Sequence, residues 1–241
     1  MVSCHEAGVG ERQSRVYVRR KGRQELNRSE EYVGDSCEGK ATECLRLATQ
    51  NINGIGQIGG NLKEQAVKEF IINYNIDIMA LQQLDVAWDK VSNANRIWDR
   101  FRGWKESSTL SVAYNSNDIN RRSYQPGGTA VLANGKITHT KDSSGYDNKH
   151  LGRYSWTRFK GSYGRYVRVV SVYRPCRTSN ENSAYMAQYR YSLGYRAGIC
   201  PRDMLLEDLR YDIDQWKRVG DSILIAGDFN EDIQSDKLAR W

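Results

Sequence analysis

The chain has 241 residues and a formal net charge of +7, with 39% hydrophobic and 27% charged residues. This length suits one large domain, or a domain with a tail, and allows a hydrophobic core that needs no disulfide or structural metal. Three prolines exclude collagen-like and proline-rich classes, and no apolar run approaches the roughly 20 residues that span a bilayer.

The first 40 residues differ in composition from the rest of the chain. Residues 1–40 are polar and show no sustained hydrophobic period. Their basic cluster at residues 19–23 suits a solvated tail or an arm that contacts nucleic acid. We predict a disordered leader here, followed by one domain over residues 41–241. The N-terminus lacks the apolar segment of a secretory signal.

The first part of the domain has the pattern of a strand, a helix and a second strand. Residues 45–50 alternate between apolar and polar side chains, as in a half-buried strand. Asn61 and Glu64 have the spacing of a capping box, and apolar residues recur at helical spacing over residues 62–71. Residues 76–81 have the composition of a buried strand. The pattern therefore predicts a βαβ unit.

The rest of the domain is predicted to contain further strands and one long helix. Two strands flank the turn at Pro126, a hairpin surrounds Gly161, a helix follows Asp203, and an apolar strand precedes Asp228. These strands cover residues 110–114, 129–133, 154–159, 166–173 and 222–226. The mixture of strands and helices predicts an α/β fold.

Four polar stretches follow predicted strands, where rigid strands can hold side chains in one pocket. Metal-assisted hydrolysis of a phosphodiester needs oxygen ligands, an oriented water and donors for the charge of the transition state. Asp228 offers a carboxylate, Asn51 and Asn230 offer amides, and Tyr173 offers a hydroxyl. Taken singly, each Asn and Asp also suits a turn or a cap. The stretches are residues 49–54, 81–84, 171–175 and 227–230.

Positive charge is concentrated in one segment. Residues 150–202 carry ten basic residues and one acidic residue, whereas residues 203–241 carry five basic and ten acidic residues. The basic segment also holds ten of the chain's aromatic residues. Arg interleaved with aromatic rings suits a surface that binds phosphates and stacks on bases, with affinity that falls steeply as salt rises. The alternative is aromatic side chains in a core with Arg facing solvent.

The order of the motifs TQNINGI, LQQL, GGTAVL, SVYRP and ILIAGDFN resembles the endonuclease/exonuclease/phosphatase superfamily. The resemblance covers residues 45–232, and the motifs are most similar to those of retrotransposon-type endonuclease domains. It implies a four-layer α/β/β/α sandwich, in which two packed mixed sheets lie between helices. It also implies hydrolysis of nucleic-acid phosphodiesters with Mg²⁺ or Mn²⁺ as cofactor.

The same resemblance implies roles for individual residues. Asn51 would position the metal shell and the phosphate, Asp228 would orient or deprotonate the attacking water, and Tyr173 would stabilise charge on the phosphoryl group. Asn230 would hold the phosphate beside Asp228. The expected metal ligands are Gln83, Asn51 and Asp228, and the expected phosphate or nucleic-acid contacts are Arg153, Arg174 and Asn53.

Two departures from the family pattern bear on activity. The family has a metal-binding Glu where this chain has Gln83, and the lost charge weakens binding of a hard cation. Asp85, two residues further on, is a candidate substitute. The family also ends with an Asp-His pair that contacts the scissile phosphate, whereas His5, His139 and His150 belong to no such pair. The second departure, with only eleven residues after Asn230, predicts a fold that lacks its last strands.

The sequence leaves three functions open. The first is a Mg²⁺-dependent endonuclease whose expected partner is nucleic acid, in particular DNA. The second is an inactive remnant that binds nucleic acid, and the third is a phosphomonoesterase of the inositol-phosphatase type. Five cysteines without metal-site spacing favour reduced thiols and an intracellular or nuclear location. Nothing in the sequence implies a membrane or a stable protein partner.

Overall fold

The computed structural model describes residues 3–7, 39–41, 43–105, 107–117, 122–195 and 198–231. Within the predicted leader, Ser3–Ala7 forms strand β1, which pairs antiparallel with β2 (Leu45–Asn51). These five residues therefore extend a sheet of the domain. Most of the leader lies outside the described residues, and the prediction of disorder there stays a prediction.

Five described strands form the first sheet. Besides β1 and β2, they are β3 (Ile78–Gln82), β4 (Ser108–Ala113) and β5 (Thr129–Asn134), in the order β1-β2-β3-β5-β4. Strands β2 and β3 are parallel and flank helix α1 (Leu62–Asn73), which confirms the predicted βαβ unit. Strand β5 is antiparallel to β3 and β4, so the sheet is mixed. A short helix, α2 (Ile97–Phe101), precedes β4.

The second sheet has four described strands in sequence order. They are β6 (Lys141–Tyr146), β7 (Tyr154–Lys160), β8 (Tyr166–Tyr173) and β9 (Asp221–Asp228). The first three are antiparallel neighbours, which confirms the predicted hairpin, whereas β8 and β9 are parallel. Helices α3 (Ala184–Tyr195) and α4 (Pro201–Arg218) lie between β8 and β9 in sequence.

Two elements of this half lack the pattern that would have predicted them. Strand β6 has the sequence KDSSGY, which contains no alternation of apolar side chains. The buried positions of α3 are Ala184, Gln188 and Ser192, so its inner face is small and polar instead of apolar. Hydrophobic periodicity is the main sequence signal for both kinds of element, and neither segment carries it.

The two sheets pack face to face around an apolar layer. Leu47, Ile78 and Val131 of the first sheet contact the second sheet, where Phe159 and Val169 are buried in the same cluster. Because side chains alternate along a strand, the residues between them point to the opposite faces. This sheet-to-sheet layer is the centre of the fold.

Helices cover the outer faces of both sheets. Met79 and Leu81 pack in a cluster with Val67 and Ile71 of α1. On the second sheet, the buried cluster includes Leu209 of α4 together with residues of β7 and β8. The layers therefore follow the order α/β/β/α, which confirms the expected four-layer architecture. No helix in the described ranges has the length and apolar character needed to cross a bilayer.

The start of α1 fixes the glycine-rich loop that follows β2. Asn61 caps the helix, with its Oδ1 accepting a hydrogen bond from the Glu64 backbone N–H at 3.1 Å. Glu64 Oε2 in turn accepts from the Gly60 N–H at 3.0 Å. This is close to the predicted capping box, except that the reciprocal bond reaches one residue before the cap. Lys63 is thereby held at the first turn of α1.

A buried polar cluster joins the two sheets near the end of β3. Gln82 is 1% exposed, and its Nε2 donates to Ser171 Oγ at 2.9 Å and to Thr49 Oγ1 at 3.1 Å. Ser171 Oγ donates to the Leu81 carbonyl at 2.8 Å. One amide thus connects β2, β3 and β8 within the core. Buried polar groups that are fully bonded specify one arrangement of their partners.

We predict that Gln82→Met destabilises the fold despite its similar volume. The substitution leaves buried hydroxyl groups without their amide partner, which costs about 1–3 kcal/mol of unfolding free energy. Urea denaturation followed by circular dichroism measures this loss. The matched control is Gln65→Met on the exposed surface of α1, for which we expect little change. Equal stability of the two variants would contradict the cross-sheet role of Gln82.

Candidate active site

The carboxyl ends of two parallel strand pairs meet at one edge of the sandwich. Asn51 is opposite Gln82 at the ends of β2 and β3, and Tyr173 is opposite Asp228 at the ends of β8 and β9. Asn51 Nδ2 donates to Asp228 Oδ2 at 2.6 Å, although 177 positions separate the two residues in sequence. The structure thus brings the predicted strand-end side chains of both sheets together.

Two side-chain amides connect this carboxylate to a second one. Asn51 Nδ2 also donates to Gln83 Oε1 at 3.1 Å, and Gln83 Nε2 lies 3.4 Å from Asp85 Oδ2. The Asn53 N–H donates to Asn51 Oδ1 at 3.0 Å, while Asn53 Oδ1 accepts from Gln83 Nε2 at 2.9 Å. We call Asn51 and Gln83 the amide bridge. It spans the space between Asp228 and Asp85.

The second sheet contributes Asn230 and Tyr173. The Asn230 N–H donates to Asp228 Oδ1 at 3.0 Å, and its Nδ2 donates to the Arg174 carbonyl at 2.9 Å. These bonds tie the loop after β9 to the loop after β8. Burial raises the pKa of the Tyr173 phenol, and the charge of Asp228 raises it further. Tyr173 therefore remains protonated at neutral pH and can act as a hydrogen-bond donor.

The two carboxylates of the site lack a cationic partner. Asp85 is 6% exposed, and its Oδ1 accepts from the Gly127 N–H at 2.8 Å. Burial raises the pKa of Asp85. Neither Asp85 nor Asp228 forms an ion pair with another described residue. Lys63 Nζ instead donates to the Ile52 carbonyl at 3.3 Å and to the Asn53 carbonyl. The nearby charge of Lys63 acts on Asp85 without forming an ion pair, so the negative charge of the edge is only partly compensated.

Strained backbone is concentrated at the same edge. Asn53, Gln83, Asp85 and Asn230 have φ angles of 48°, 56°, 58° and 47°, in the left-handed region. Such residues cost about 1–3 kcal/mol each and cluster at active sites and ligand clamps. Here the strained residues carry the side chains of the amide bridge and its neighbours. The backbone geometry is therefore a second sign of a functional site.

The donor set suits a hard cation. Asp85 and Asp228 offer carboxylate oxygens, and the amide bridge offers amide oxygens if its side chains turn, since both now accept hydrogen bonds. Among the described residues, no group of three or more His, Cys, Asp and Glu side chains could hold a metal ion. Mg²⁺ needs only one or two carboxylates, because it retains several waters and shares the phosphates of its substrate. The residues therefore fit Mg²⁺ or Mn²⁺ better than zinc, which prefers nitrogen and sulfur ligands.

The two arginines predicted to contact phosphate have other partners. Arg153 has no exposed side chain and binds Asp147 at 3.1 Å and Asp208 at 2.7 Å. Arg174 is also fully buried, with its Nη1 bonded to Glu231 at 2.6 Å. Neither guanidinium faces the edge as a free donor. Both guanidinium groups are bonded inside the fold, and the phosphate contacts of Arg153 and Arg174 stay predictions.

Several arginines of the basic segment form ion pairs, whereas Lys160, Arg165 and Arg177 of the same segment are exposed. The paired arginines contact acidic residues such as Asp221 and Glu231, which belong to the acidic stretch that follows. Arg168 additionally lies 4.0 Å from the ring centroid of Trp156. These arginines are consequently unavailable as a free basic surface. The paired arginines are Arg153, Arg158, Arg168, Arg174, Arg190 and Arg202.

The described histidines take structural positions away from these contacts. His139 lies in the 3-10 turn Gly135–Thr140. His150 follows β6 in a loop, with its ring centroid 5.3 Å from that of Tyr146. Within the described part of the chain, neither ring is hydrogen-bonded to Asp228 or Tyr173. The side chain of His5 lies outside the described residues.

Sequence reasoning did not identify Tyr124 or Lys63 as residues of this edge. Tyr124 is 55% exposed, and its backbone forms a bridge with Val86, one residue after Asp85. Burial raises the pKa of Tyr124, and the charge of Asp85 raises it further. Its position three residues before Gly127, where the GGTAVL motif begins, was an available signal. Lys63 was detectable only from its place in the first turn after the glycine-rich loop.

Comparison with known families agrees with the fold. The model of the Endonuclease/Exonuclease/phosphatase family matches residues 48–241, most of the chain. The protein therefore belongs to this family. Its members are hydrolases that act on phosphodiester or phosphate esters, and they generally use divalent metal ions. No curated protein sequence matches this chain.

Solved structures of similar shape include nucleases. An AP endonuclease from Archaeoglobus fulgidus is 17% identical, with a TM-score of 0.46, and the match covers 77% of this chain and 57% of that one. The human Nocturnin catalytic domain with bound sulfate is 16% identical, with a TM-score of 0.45, over 80% of this chain and 67% of that one. The 3'-5' exonuclease of Neisseria meningitidis is 19% identical, with a TM-score of 0.44, over 76% and 57%. The matched region thus spans little more than half of two of these proteins.

We predict that Arg153→Met lowers the free energy of unfolding. Removal of the guanidinium leaves Asp147 buried without its cation, which costs about 3–5 kcal/mol of unfolding free energy. Thermal and urea denaturation measure the loss. A stable Arg153→Met variant with weaker, less salt-dependent DNA binding would instead support the phosphate contact that the family resemblance implies for Arg153.

Proposed function

We propose that this protein hydrolyses phosphodiester bonds of nucleic acid, in particular DNA, with Mg²⁺ or Mn²⁺ as cofactor. The observation that carries the proposal is the contact of Asn51 with Asp228 beside a buried, protonated Tyr173. These groups supply a base, an amide clamp and a hydroxyl donor at the joined ends of both sheets. Phosphodiester hydrolysis requires this combination at one place.

Each residue of the edge has a proposed task. Asp228 orients the attacking water and accepts its proton, because it offers a carboxylate that forms no ion pair with another described residue. Asn51 holds Asp228 in place, while Asn53 and Asn230 present amides to the phosphate. Tyr173 donates its hydroxyl hydrogen to the oxygen on which negative charge develops. These roles agree with those that the family resemblance implies.

The cation would be held by Asp228 and by the amide bridge. When bound, a divalent cation supplies charge neutralisation for the phosphate and stabilises the developing negative charge. Asn51 and Gln83 would contribute oxygen atoms only if their amides turn. The side-chain amide of Asn51 now directs its nitrogen toward both Gln83 and Asp228.

The residues around the site favour a nucleic-acid substrate over a highly phosphorylated small molecule. Tyr124 presents an exposed ring next to Asp85, and aromatic rings stack on unpaired bases with about 1–3 kcal/mol each. Arg174 and Arg202 are bonded to Glu231 and so cannot neutralise several phosphates. We therefore do not favour an inositol-polyphosphate substrate.

The motifs support a finer proposal about origin and location. Their order and wording resemble retrotransposon-type endonuclease domains, and we propose that the protein is a retroelement-associated endonuclease. Access to chromosomal DNA would then require an intracellular, nuclear location. No membrane or stable protein partner enters this proposal.

Nicking of supercoiled plasmid in Mg²⁺ tests the proposed reaction. We predict nicking by the wild type and a loss of about 10²-fold or more in Asp228→Asn, because the amide cannot accept the proton of the water. The matched control is Asp214→Asn on an exposed position of α4, which should nick like the wild type. Wild-type protein that binds DNA without nicking it would favour the inactive remnant.

Tyr173→Phe tests the hydroxyl donor separately. We expect a fall in kcat of about 10²–10³-fold with little change in DNA affinity, because the donated hydrogen bond strengthens only in the transition state. Single-turnover cleavage and fluorescence anisotropy give the two quantities. An unchanged cleavage rate would remove Tyr173 from the mechanism.

A further inference from the structure

We propose that Asp85 provides one of the two carboxylate charges that hold the divalent cation in this protein. The inference rests on the proposed function, because it names a ligand of that same site. It also answers a difficulty of the sequence, since Gln83 offers an oxygen atom without a charge. A hard cation with one carboxylate is held more weakly than a cation with two.

The side-chain contacts place Asp85 at the Gln83 end of the amide bridge, opposite Asp228 at the Asn51 end. Gln83 reaches Asp85 Oδ2 with its Nε2 at 3.4 Å, and its Oε1 accepts from Asn51, which contacts Asp228. The two carboxylates therefore bracket the pair of amides. A cation bound at the bridge would have negative charge on both sides.

Asp85 is also a buried carboxylate that forms no ion pair with a described residue, although the charge of Lys63 acts on it from nearby. Asp147 and Asp221 are similarly buried, and each is neutralised by one or two arginines. Asp85 has only the Gly127 N–H and the distant Gln83 amide as donors among the described residues. A buried carboxylate is expensive to keep ionised unless a cation accompanies it.

One oxygen of Asp85 remains available for that cation. Its Oδ1 is occupied by the Gly127 N–H at 2.8 Å, whereas Oδ2 has only the long contact to Gln83. Gly54 borders Oδ2, and a Cβ at that position would lie 3.3 Å from it. The absence of a side chain at Gly54, whose φ is +82°, keeps this side of the carboxylate free. The geometry points to Oδ2 as the ligand atom.

Direct measurement of Mn²⁺ binding tests the inference without reference to catalysis. The free-ion signal in electron paramagnetic resonance is followed as the full chain is titrated with Mn²⁺. We expect Asp85→Asn to raise Kd by about tenfold or more, and Asp214→Asn to leave it unchanged. Asn can retain the bond from the Gly127 N–H, and circular dichroism with a melting curve confirms folding.

A compensating substitution makes the test specific to charge at this place. We expect Gln83→Glu to lower Kd in the wild type and to restore binding in Asp85→Asn. Unchanged Kd in Asp85→Asn, with binding lost in Asp228→Asn, would overturn the inference and leave the proposed function intact. Asp85-dependent Mn²⁺ binding without any plasmid nicking would contradict the proposed function alone.

Discussion

Hydrogen bonds across the interface of the two sheets are the constraint on which the rest of the site depends. Gln82 joins β2, β3 and β8 inside the core, and Asn51 contacts Asp228 at the surface directly above. Because each sheet contains one parallel pair, four strands end at this edge and their side chains meet. Without a fixed relation between the sheets, the Asn51–Asp228 contact would be lost.

Two buried carboxylates elsewhere in the fold are compensated more fully than those of this edge. Elsewhere in the described chain, buried carboxylates such as Asp147 and Asp221 are bonded to arginine, and several arginines of the basic segment pair with the acidic stretch that follows it. At the edge, Asp85 and Asp228 form no ion pair with another described residue, and Asp85 and Asn230 have φ angles in the left-handed region. Negative charge and strain are costs that folding alone does not explain, and cation binding would relieve the first of them.

Much of the fold could be predicted because its strands and α4 carry strong apolar patterns. The βαβ unit, the hairpin of β7 and β8, and the strand that delivers Asp228 all follow from periodicity. Strand β6 and helix α3 could not, since their inner faces are polar or small. The strand-end residues of the site were predictable because a motif and a strand end coincide at each one.

The ion-pair partners of the arginines could not be predicted from composition. Arg153 and Arg174 look like phosphate ligands in sequence, but their carboxylate partners lie up to 57 residues away and reach them only through the fold. Net charge by segment therefore overestimates the free basic surface when an acidic segment packs against a basic one. Asp85 shows the converse, since its lack of a cation becomes visible only once its neighbours are placed.

Anomalous diffraction from crystals soaked in Mn²⁺ is the most direct measurement of the central claim, that the joined strand ends form a cation site. We expect one strong Mn²⁺ peak at this edge, within ligand distance of carboxylate oxygens of both Asp85 and Asp228. A peak bound to Asp228 without Asp85 would correct the ligand set. An ordered edge without any peak, in crystals that bind Mn²⁺ elsewhere, would contradict the account.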